Sequence, residues 1–207
     1  MIALLALGSG TVASAAGCSL GRASATLRAE SLGADPVYLT CTYAHVVYAK
    51  LATETSFFLT DIPLEDLLAG NVSTGMVVHL DLLWHPSAGN TPMDRSATNI
   101  SVRYIVFADG EVGIYGGAGF AMPRGKAGKG AMSLSLRDAS LTLLDSTSGF
   151  VDLLSPARLT GTVTARLDEK LARQISHALN QIVTNALGYT RLVRSGATSS
   201  SSSKSGV

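Results

Sequence analysis

Hydrophobic and polar residues alternate along most of the chain with a period of two, a spacing typical of β-strands. The clearest case is the pair of segments 99–108 and 111–117, which flank Asp109-Gly110. Asp-Gly is a favoured sequence for a tight two-residue turn, so the pattern predicts a hairpin in which Phe107 lies opposite Val112. Both faces of this hairpin are largely apolar, and we therefore expect it to be central and covered on both sides.

Further segments also have the character of strands. They are 24–30, 36–49, 56–60, 75–85, 131–145 and 159–167. Within 131–145 the alternation changes phase at Arg137-Asp138, which predicts a β-bulge or bend at that point. The glycine-rich, basic segment 116–130 lacks such alternation and predicts a loop.

Two segments have helical character. Apolar residues recur at i, i+4 and i+7 over 168–187, and Gly188 predicts the end of this amphipathic helix. The shorter segment 61–70 predicts one or two helical turns, with Asp61 placed to cap them and Gly70 to stop them. The predicted fold is therefore mainly β: an antiparallel meander of seven or eight strands, closed as a barrel or packed as a sandwich, with helix 168–187 packed on it.

The N-terminal segment has the pattern of an export signal. Residues 2–16 carry no charge and open on a short apolar run, too short for the roughly 20 residues that span a bilayer. The sequence Ala15-Ala16-Gly17-Cys18 then resembles the lipobox of bacterial lipoproteins, whose cysteine becomes the lipid-modified N-terminus. The resemblance implies that 1–17 is a removed signal peptide, and that a lipid on Cys18 anchors an exported protein to the membrane of the bacterial cell envelope.

A second interpretation keeps the export and omits the lipid. Ala13-Ser14-Ala15 also fits a signal-peptidase site, and cleavage there would give a soluble secreted or periplasmic protein in which Cys18 is free to pair with Cys41. With Cys18 acylated, Cys41 is instead a lone thiol. It alternates with Tyr43 and Val47 on one face of a predicted strand, so we expect it to be buried as a small apolar residue.

The composition fits one ordinary domain after the signal. Residues 18–23 form a short tether, 24–188 a single β-rich domain, and 189–207 a serine-rich tail of low complexity that we expect to be disordered. With 46% hydrophobic and 15% charged residues the chain has enough apolar surface for a core. Its net charge of +1 argues against nucleic-acid binding, which goes with a basic excess.

The segment most suggestive of a site is 79–85. Strand alternation places His79, Asp81 and His85 on one face, with His79 and Asp81 about 6.6 Å apart along the strand, close enough to share a metal ion or a proton. His85 lies too far from His79 to join the same site unless the strand bends at Pro86. A polar strand face turned to water explains the pattern as well. His45 and His177 are each expected to be core or boundary residues, not ligands.

The glycines of 116–130 do not match known phosphate-binding loops. The dinucleotide-binding and Walker patterns both fail on spacing, and the segment does not lead into a helix. Close backbone packing is the simpler explanation of the glycines. Arg124, Lys126 and Lys129 remain candidates for contact with an anion or a lipid headgroup. The chain also lacks a zinc-binding cysteine spacing and a serine-hydrolase elbow, so no metal or other cofactor is predicted.

Two classes of function follow from these patterns. The first is a non-catalytic envelope lipoprotein, either a binding module for a small apolar ligand or a structural domain that interacts with an envelope protein. The alternative is a secreted hydrolase or metal-dependent enzyme that uses His79 and Asp81. An apolar cavity under the sheet would favour binding, whereas polar side chains converging on His79 in a cleft would favour the enzyme.

Overall fold

The computed structural model describes residues 23–86 and 97–191 of the chain. Nine strands and two helices lie within these ranges. The strands are β1 (Ser24–Ser31), β2 (Tyr38–Tyr43), β3 (His45–Lys50), β4 (Thr55–Thr60), β5 (Gly75–Leu82), β6 (Ile100–Ala108), β7 (Glu111–Lys126), β8 (Lys129–Ser146) and β9 (Ala157–Leu167). The helices are α1 (Leu64–Ala69) and α2 (Glu169–Leu187).

The strands form one sheet in which the pairings close on themselves. Its order is β2-β1-β9-β3-β4-β5-β6-β7-β8, and β9 pairs with β8 as well. Neighbours pair antiparallel except β3 and β9, which run parallel through two residue pairs. The predicted mainly β meander is confirmed, and β3 through β9 make a ring of paired strands to which β1 and β2 are added along β9.

The predicted hairpin is confirmed in its turn and its register. Asp109 and Gly110 both have positive φ, at 52° and 84°, the combination that a type I′ turn requires. Phe107 lies opposite Val112. The strand pair is central and largely buried on both faces, as its two apolar faces predicted.

The predicted bulge in the long strand is also present. The register between β8 and β9 shifts between Leu136 and Ala139, and Asp138 adopts a φ of 51°. The extra residue moves the alternation of buried side chains by one position. Met132 and Leu134 before the bulge and Leu141 after it therefore all reach the same core.

The segment 36–49, predicted as one strand, is two. It divides at Ala44 into β2 and β3, which accounts for the ninth strand. Cys41 and Tyr43 face the larger core, but Val47 lies in the cluster under the helices, so the prediction that all three share one face is wrong. The alternation of buried residues reverses at Ala44 because the two strands have different partners. β2 pairs with β1, whereas β3 pairs with β4 and β9.

The glycine-rich segment predicted as a loop is instead a strand hairpin. β7 continues to Lys126 and β8 begins at Lys129, so only a two-residue turn separates them. The glycines allow the two strands to approach closely: a Cβ added at Gly117 would collide with the carbonyl oxygen of Ser140 on β8. Alternation is absent from this stretch because glycines occupy positions where apolar side chains would otherwise reveal a strand.

The short helix is present, but Asp61 does not cap it. Pro63 occupies the N-cap position of α1 with no side-chain hydrogen bond, and Gly70 ends the helix in the left-handed conformation, as predicted. The Asp61 carboxylate instead accepts a 2.7 Å hydrogen bond from the backbone N–H of Met76 at the start of β5. Asp61 therefore fixes the connection from α1 to β5 rather than the start of the helix.

The long helix is confirmed, and it covers the smaller of two apolar cores that lie on opposite faces of the sheet. Asp168 caps α2 by accepting a 3.0 Å hydrogen bond from the N–H of Leu171. The larger core is enclosed by the sheet and contains residues from all nine strands. The smaller core lies between α1, α2 and the opposite face of the sheet, where Ile175, Leu179 and Val183 of α2 are buried. Within 23–86 and 97–191, no helix has the length and hydrophobicity that crossing a membrane requires.

Several predictions concern segments outside the described ranges. Residues 1–22, with the proposed signal peptide and Cys18, and residues 192–207, with the serine run, are outside them. Residues 189–191 of the expected tail are described, and they contact β8. Tyr189 donates a 2.6 Å hydrogen bond to Asp145, and Nε of Arg191 lies 3.3 Å from the same carboxylate.

Candidate ligand-binding groove

A groove of about 720 Å³ lies between α2 and residues of β3, β4, β5 and the connection from β3 to β4. Its lining mixes apolar, polar and charged side chains. The lining residues are Ala49, Leu51, Ala52, Thr53, Glu54, Ser56, Phe58, Leu68, His79, Lys170, Ala172, Arg173, Gln174, Ser176, His177, Ala178 and Gln181. Its volume is within the usual range for sites that bind small molecules.

The sheet contributes an aromatic wall to the groove. Phe58 of β4 and His79 of β5 are opposite each other in the antiparallel pairing, on the face turned toward α2. Their rings stack with centroids 4.4 Å apart and planes inclined by 6°. The stacked pair therefore gives this part of the groove an aromatic lining, in which Phe58 is nearly buried.

The predicted pair of His79 and Asp81 is present. Nε2 of His79 lies 3.0 Å from Oδ1 of Asp81, although its N–H is not aligned for a hydrogen bond. Ser56 donates to the same oxygen at 2.5 Å, and Ser101 donates to Oδ2 at 3.5 Å. Ser56 is bonded to the carboxylate and not to the imidazole, so the three do not form a relay from nucleophile to base to carboxylate.

The buried carboxylate of Asp81 is held ionised by its neighbours. Burial alone would raise its pKa, but the adjacent His79 and the hydrogen bond from Ser56 lower it, with a smaller contribution from the charge of Arg103. The net result is a pKa below the ordinary value for an aspartate. The negative charge is thus compensated within the sheet.

The helix contributes a polar stripe to the opposite wall. Lys170, Arg173, His177 and Gln181 follow one another at spacings of three and four residues, and Gln174 comes four residues after Lys170, so all five share one side of α2. This stripe lies beside the apolar stripe that packs on the sheet. Arg173 also forms an exposed ion pair with Glu169, at 3.8 Å.

The two ends of the groove differ in character. The N–H of Asp168 donates to the carbonyl of Tyr48 at 3.0 Å, which places the start of α2 beside the end of β3. Gly70 lies near Ile182, which places α1 beside the C-terminal half of α2. The groove therefore runs along α2, from Lys170 at one end to the apolar Leu68 at the other.

The remaining residues that the sequence singled out lie outside this groove. His85 is exposed beyond the end of β5, and His45 is half-buried at the start of β3. Arg124, Lys126 and Lys129 are exposed at the turn between β7 and β8. In the part of the chain that the structure describes, no cluster of three or more His, Cys, Asp or Glu residues is arranged to hold a metal ion.

Cys41 is buried, as predicted for a small apolar residue on that strand, and its thiol is free. Its Sγ donates a 3.6 Å hydrogen bond to Asp61. Burial and the Asp61 carboxylate raise the pKa of the thiol to about 11, so it is protonated and unreactive at neutral pH. The buried hydroxyl of nearby Tyr43 makes no hydrogen bond with good geometry, and burial raises its pKa strongly as well.

One wall of the groove can be predicted from the sequence, whereas the other depends on the fold. The spacing of His79 and Asp81 placed both on one strand face. The contribution of α2 was not predicted, although its polar stripe is visible as Lys170, Arg173 and His177 beside the apolar positions. Which polar face of a helix borders a groove depends on how the helix crosses the sheet.

Comparison with known proteins gives no assignment: no family model matches the chain, and no curated protein or solved structure shows a significant similarity to it.

Proposed function

We propose that this protein is an exported, lipid-anchored envelope protein that binds a small molecule in the groove beneath α2. The groove itself carries the proposal. It combines a volume of about 720 Å³ with an aromatic pair in its lining and a row of polar side chains, a combination typical of small-molecule sites. The ligand we propose has an apolar body that packs on Phe58 and His79.

The core enclosed by the sheet is a less suitable site for such a ligand. Its largest side chains, among them Tyr48, Tyr104 and Phe57, are less than 2% exposed and fill the space between the strands. The groove is on the other face of the sheet and opens to solvent. Leu68, at its edge, remains 40% exposed, and an apolar ligand would cover it.

The proposed location has its support in the sequence alone. Ala15-Ala16-Gly17-Cys18 follows a short apolar run, the arrangement from which bacterial lipoproteins are processed. A lipid on Cys18 would hold the domain at a membrane through the tether 18–23. A binding domain anchored in this way would present its groove to ligands near the membrane surface.

A blocked groove provides the test of binding. Gln174 is exposed and lines the groove, so Gln174→Trp would fill part of it without disturbing the packed face of α2. Asn185→Trp is the matched control, because Asn185 is also exposed on the same helix and does not line the groove. The probe is N-phenyl-1-naphthylamine, an uncharged aromatic dye whose fluorescence rises in apolar surroundings.

We expect saturable binding of one dye per chain, weakened about tenfold or more by Gln174→Trp and unchanged by Asn185→Trp. A tenfold weaker Kd corresponds to a loss of about 1.4 kcal/mol in binding free energy. Equal binding by the two tryptophan variants would refute the groove as the site.

An enzyme that uses His79 and Asp81 is the second candidate. The approach of the two side chains to 3.0 Å at the groove wall favours it, since a carboxylate beside an imidazole is a common arrangement in a general base. Hydrolysis of nitrophenyl esters and phosphates tests this candidate. Activity that falls about 100-fold or more in His79→Ala would support it, and no activity in the wild-type protein would leave binding as the function.

A further inference from the structure

We infer that the end of the sheet at which β7 turns into β8 is the surface that the domain turns toward the membrane, where its cations contact anionic phospholipid headgroups. The inference rests on the proposed lipid anchor and adds the orientation of the domain at the bilayer. Arg124, Lys126 and Lys129 are exposed at this turn, and none of them has an ion-pair partner among the described residues. The turn is therefore a source of uncompensated positive charge.

The two lysines of the turn stand directly opposite each other. Lys126 and Lys129 are partners in the antiparallel pairing of β7 and β8, an arrangement of like charges that destabilises a hairpin. The turn also projects from the sheet, because β6 pairs with β7 only as far as Gly119 and β9 pairs with β8 only from Ala131 onward. The positive charge therefore lies at the tip of a protruding hairpin, where a planar surface can reach it.

The carboxylates at this end of the sheet do not cancel its positive charge. Its described connections contain seven cations and three carboxylates. Two of the carboxylates, Asp168 and Glu169, are already paired with arginines, at 3.7 and 3.8 Å, which leaves Glu54 against five further cations. One of these, Lys50, extends beside the turn, since a Cβ added at Gly128 would lie 3.1 Å from its Cδ. The segments counted are 50–54, 124–129 and 166–173.

The opposite end of the sheet is strongly acidic. Its described connections contain eight carboxylates and one cation, Arg191, which is paired with Asp145 at 3.3 Å. An anionic bilayer surface therefore attracts the end at the β7–β8 turn and repels the other, so the charge distribution orients the whole domain. The segments counted are 32–37, 61–74, 109–111, 145–156 and 188–191.

The start of β1 lies toward the same end of the sheet as the turn. Ser24 is opposite Thr164 of β9, which is opposite Ser133 of β8, and β1 runs away from the turn. From Ser133 back to Gly128 the hairpin covers about 17 Å at 3.3 Å per residue. The tether 18–23 can span at most about 20 Å. A lipid at the start of the tether and the tip of the turn can therefore reach one membrane plane.

The contact is tested with vesicles and a chain that has no lipid. Cys18→Ser removes the acyl acceptor, and co-sedimentation at about 0.1 M salt compares vesicles of phosphatidylcholine with vesicles of equal parts phosphatidylglycerol and phosphatidylcholine. In this background, Lys126→Gln with Lys129→Gln is the test variant, and Lys126→Arg with Lys129→Arg retains the charge. The control, Arg137→Gln with Arg158→Gln, removes the same charge from exposed positions, of which Arg137 lies about 30 Å along β8 from the turn.

We expect the Cys18→Ser chain to bind the anionic vesicles about 30-fold or more tightly than the neutral ones. The glutamine variant of the turn should lose about tenfold or more of this preference, since each cation near an anionic surface contributes roughly a factor of five. The arginine variant and the control should stay within about twofold of the Cys18→Ser chain, because charges beyond the Debye length of about 10 Å are screened. Equal binding of the Cys18→Ser chain to both kinds of vesicle would overturn the membrane contact.

Three other outcomes would contradict specific parts of the proposal. A loss as large in the control as in the test variant would overturn the assignment of the turn, because it would show an effect of net charge. Binding to a DNA duplex as tight as binding to the anionic vesicles would overturn the choice of a lipid partner, because it would show affinity for any polyanion. An unacylated Cys18 in cells would instead remove the proposed anchor, a result that vesicle binding without the lipid cannot produce.

Discussion

At the turn Asp109-Gly110, the free-energy cost of a left-handed backbone conformation can be measured for a single residue. Gly110 has a φ of 84°, in the left-handed region, and a Cβ built there meets no atom within 4 Å. A Gly110→Ala substitution therefore adds no clash and changes only the backbone preference. The left-handed conformation costs a residue with a Cβ roughly 1–2 kcal/mol.

The substitution also has an effect of opposite sign on the free energy of unfolding, and the experiment must separate it from the cost of the left-handed conformation. Alanine restricts the unfolded chain more than glycine does, which stabilises the folded state by about 0.4–1 kcal/mol wherever the native conformation is compatible. Gly33 provides the matched control. It is exposed, a Cβ there also meets nothing within 4 Å, and its φ lies outside the left-handed region. Gly33→Ala should therefore show only the stabilising effect.

Urea unfolding of the wild-type protein and both variants measures the two effects. We expect Gly33→Ala to be slightly more stable than wild type and Gly110→Ala to be less stable than Gly33→Ala by about 1–2 kcal/mol, with one m-value throughout. Equal stability of the two variants would refute the assignment of a left-handed turn residue to Gly110. A change in m would show that the comparison is invalid, because the unfolded state itself had changed.

Two further predictions concern the anchor and the buried carboxylate. Mass spectrometry of protein from the membrane fraction should find an acylated N-terminal Cys18, whereas a soluble chain that begins at Ala16 would contradict lipidation. Because the folded-state pKa of Asp81 lies below its unfolded value, Asp81 stabilises the fold above about pH 4 and loses this contribution as the pH falls through the folded pKa. Asp81→Asn should therefore cost about 1–3 kcal/mol at pH 7 and progressively less below pH 4, and a cost that does not change with pH would exclude the carboxylate charge as its origin.

The elements predicted well from the sequence are those whose cause is local. The turn at Asp109-Gly110, the bulge at Arg137-Asp138 and the end of α2 at Gly188 each depend on residues adjacent along the chain. The pairing of His79 with Asp81 belongs to this group as well, because a strand places every second residue on one face. Physical preferences that act over a few residues can be recognised without knowledge of the fold.

The elements that were missed depend on residues distant in the chain. Asp61 was expected to cap α1, but the N–H of Met76 takes its carboxylate when β5 enters the sheet. The glycines of β7 gave the sequence the pattern of a loop, although the close approach of Ser140 makes them necessary in a strand. In both cases a partner supplied by the tertiary structure decided the conformation.

The sequence by itself determined a mainly β chain with one amphipathic helix, because alternation and the 3.6-residue period each identify an element through its buried face. It also placed His79 and Asp81 side by side. Only the tertiary structure decided that α2 packs over β3 and β4 so that Lys170 and Arg173 border the groove whose other wall contains His79. A helix can present any of its polar faces to a groove, and the packing of Ile175 and Leu179 on the sheet selects one of them.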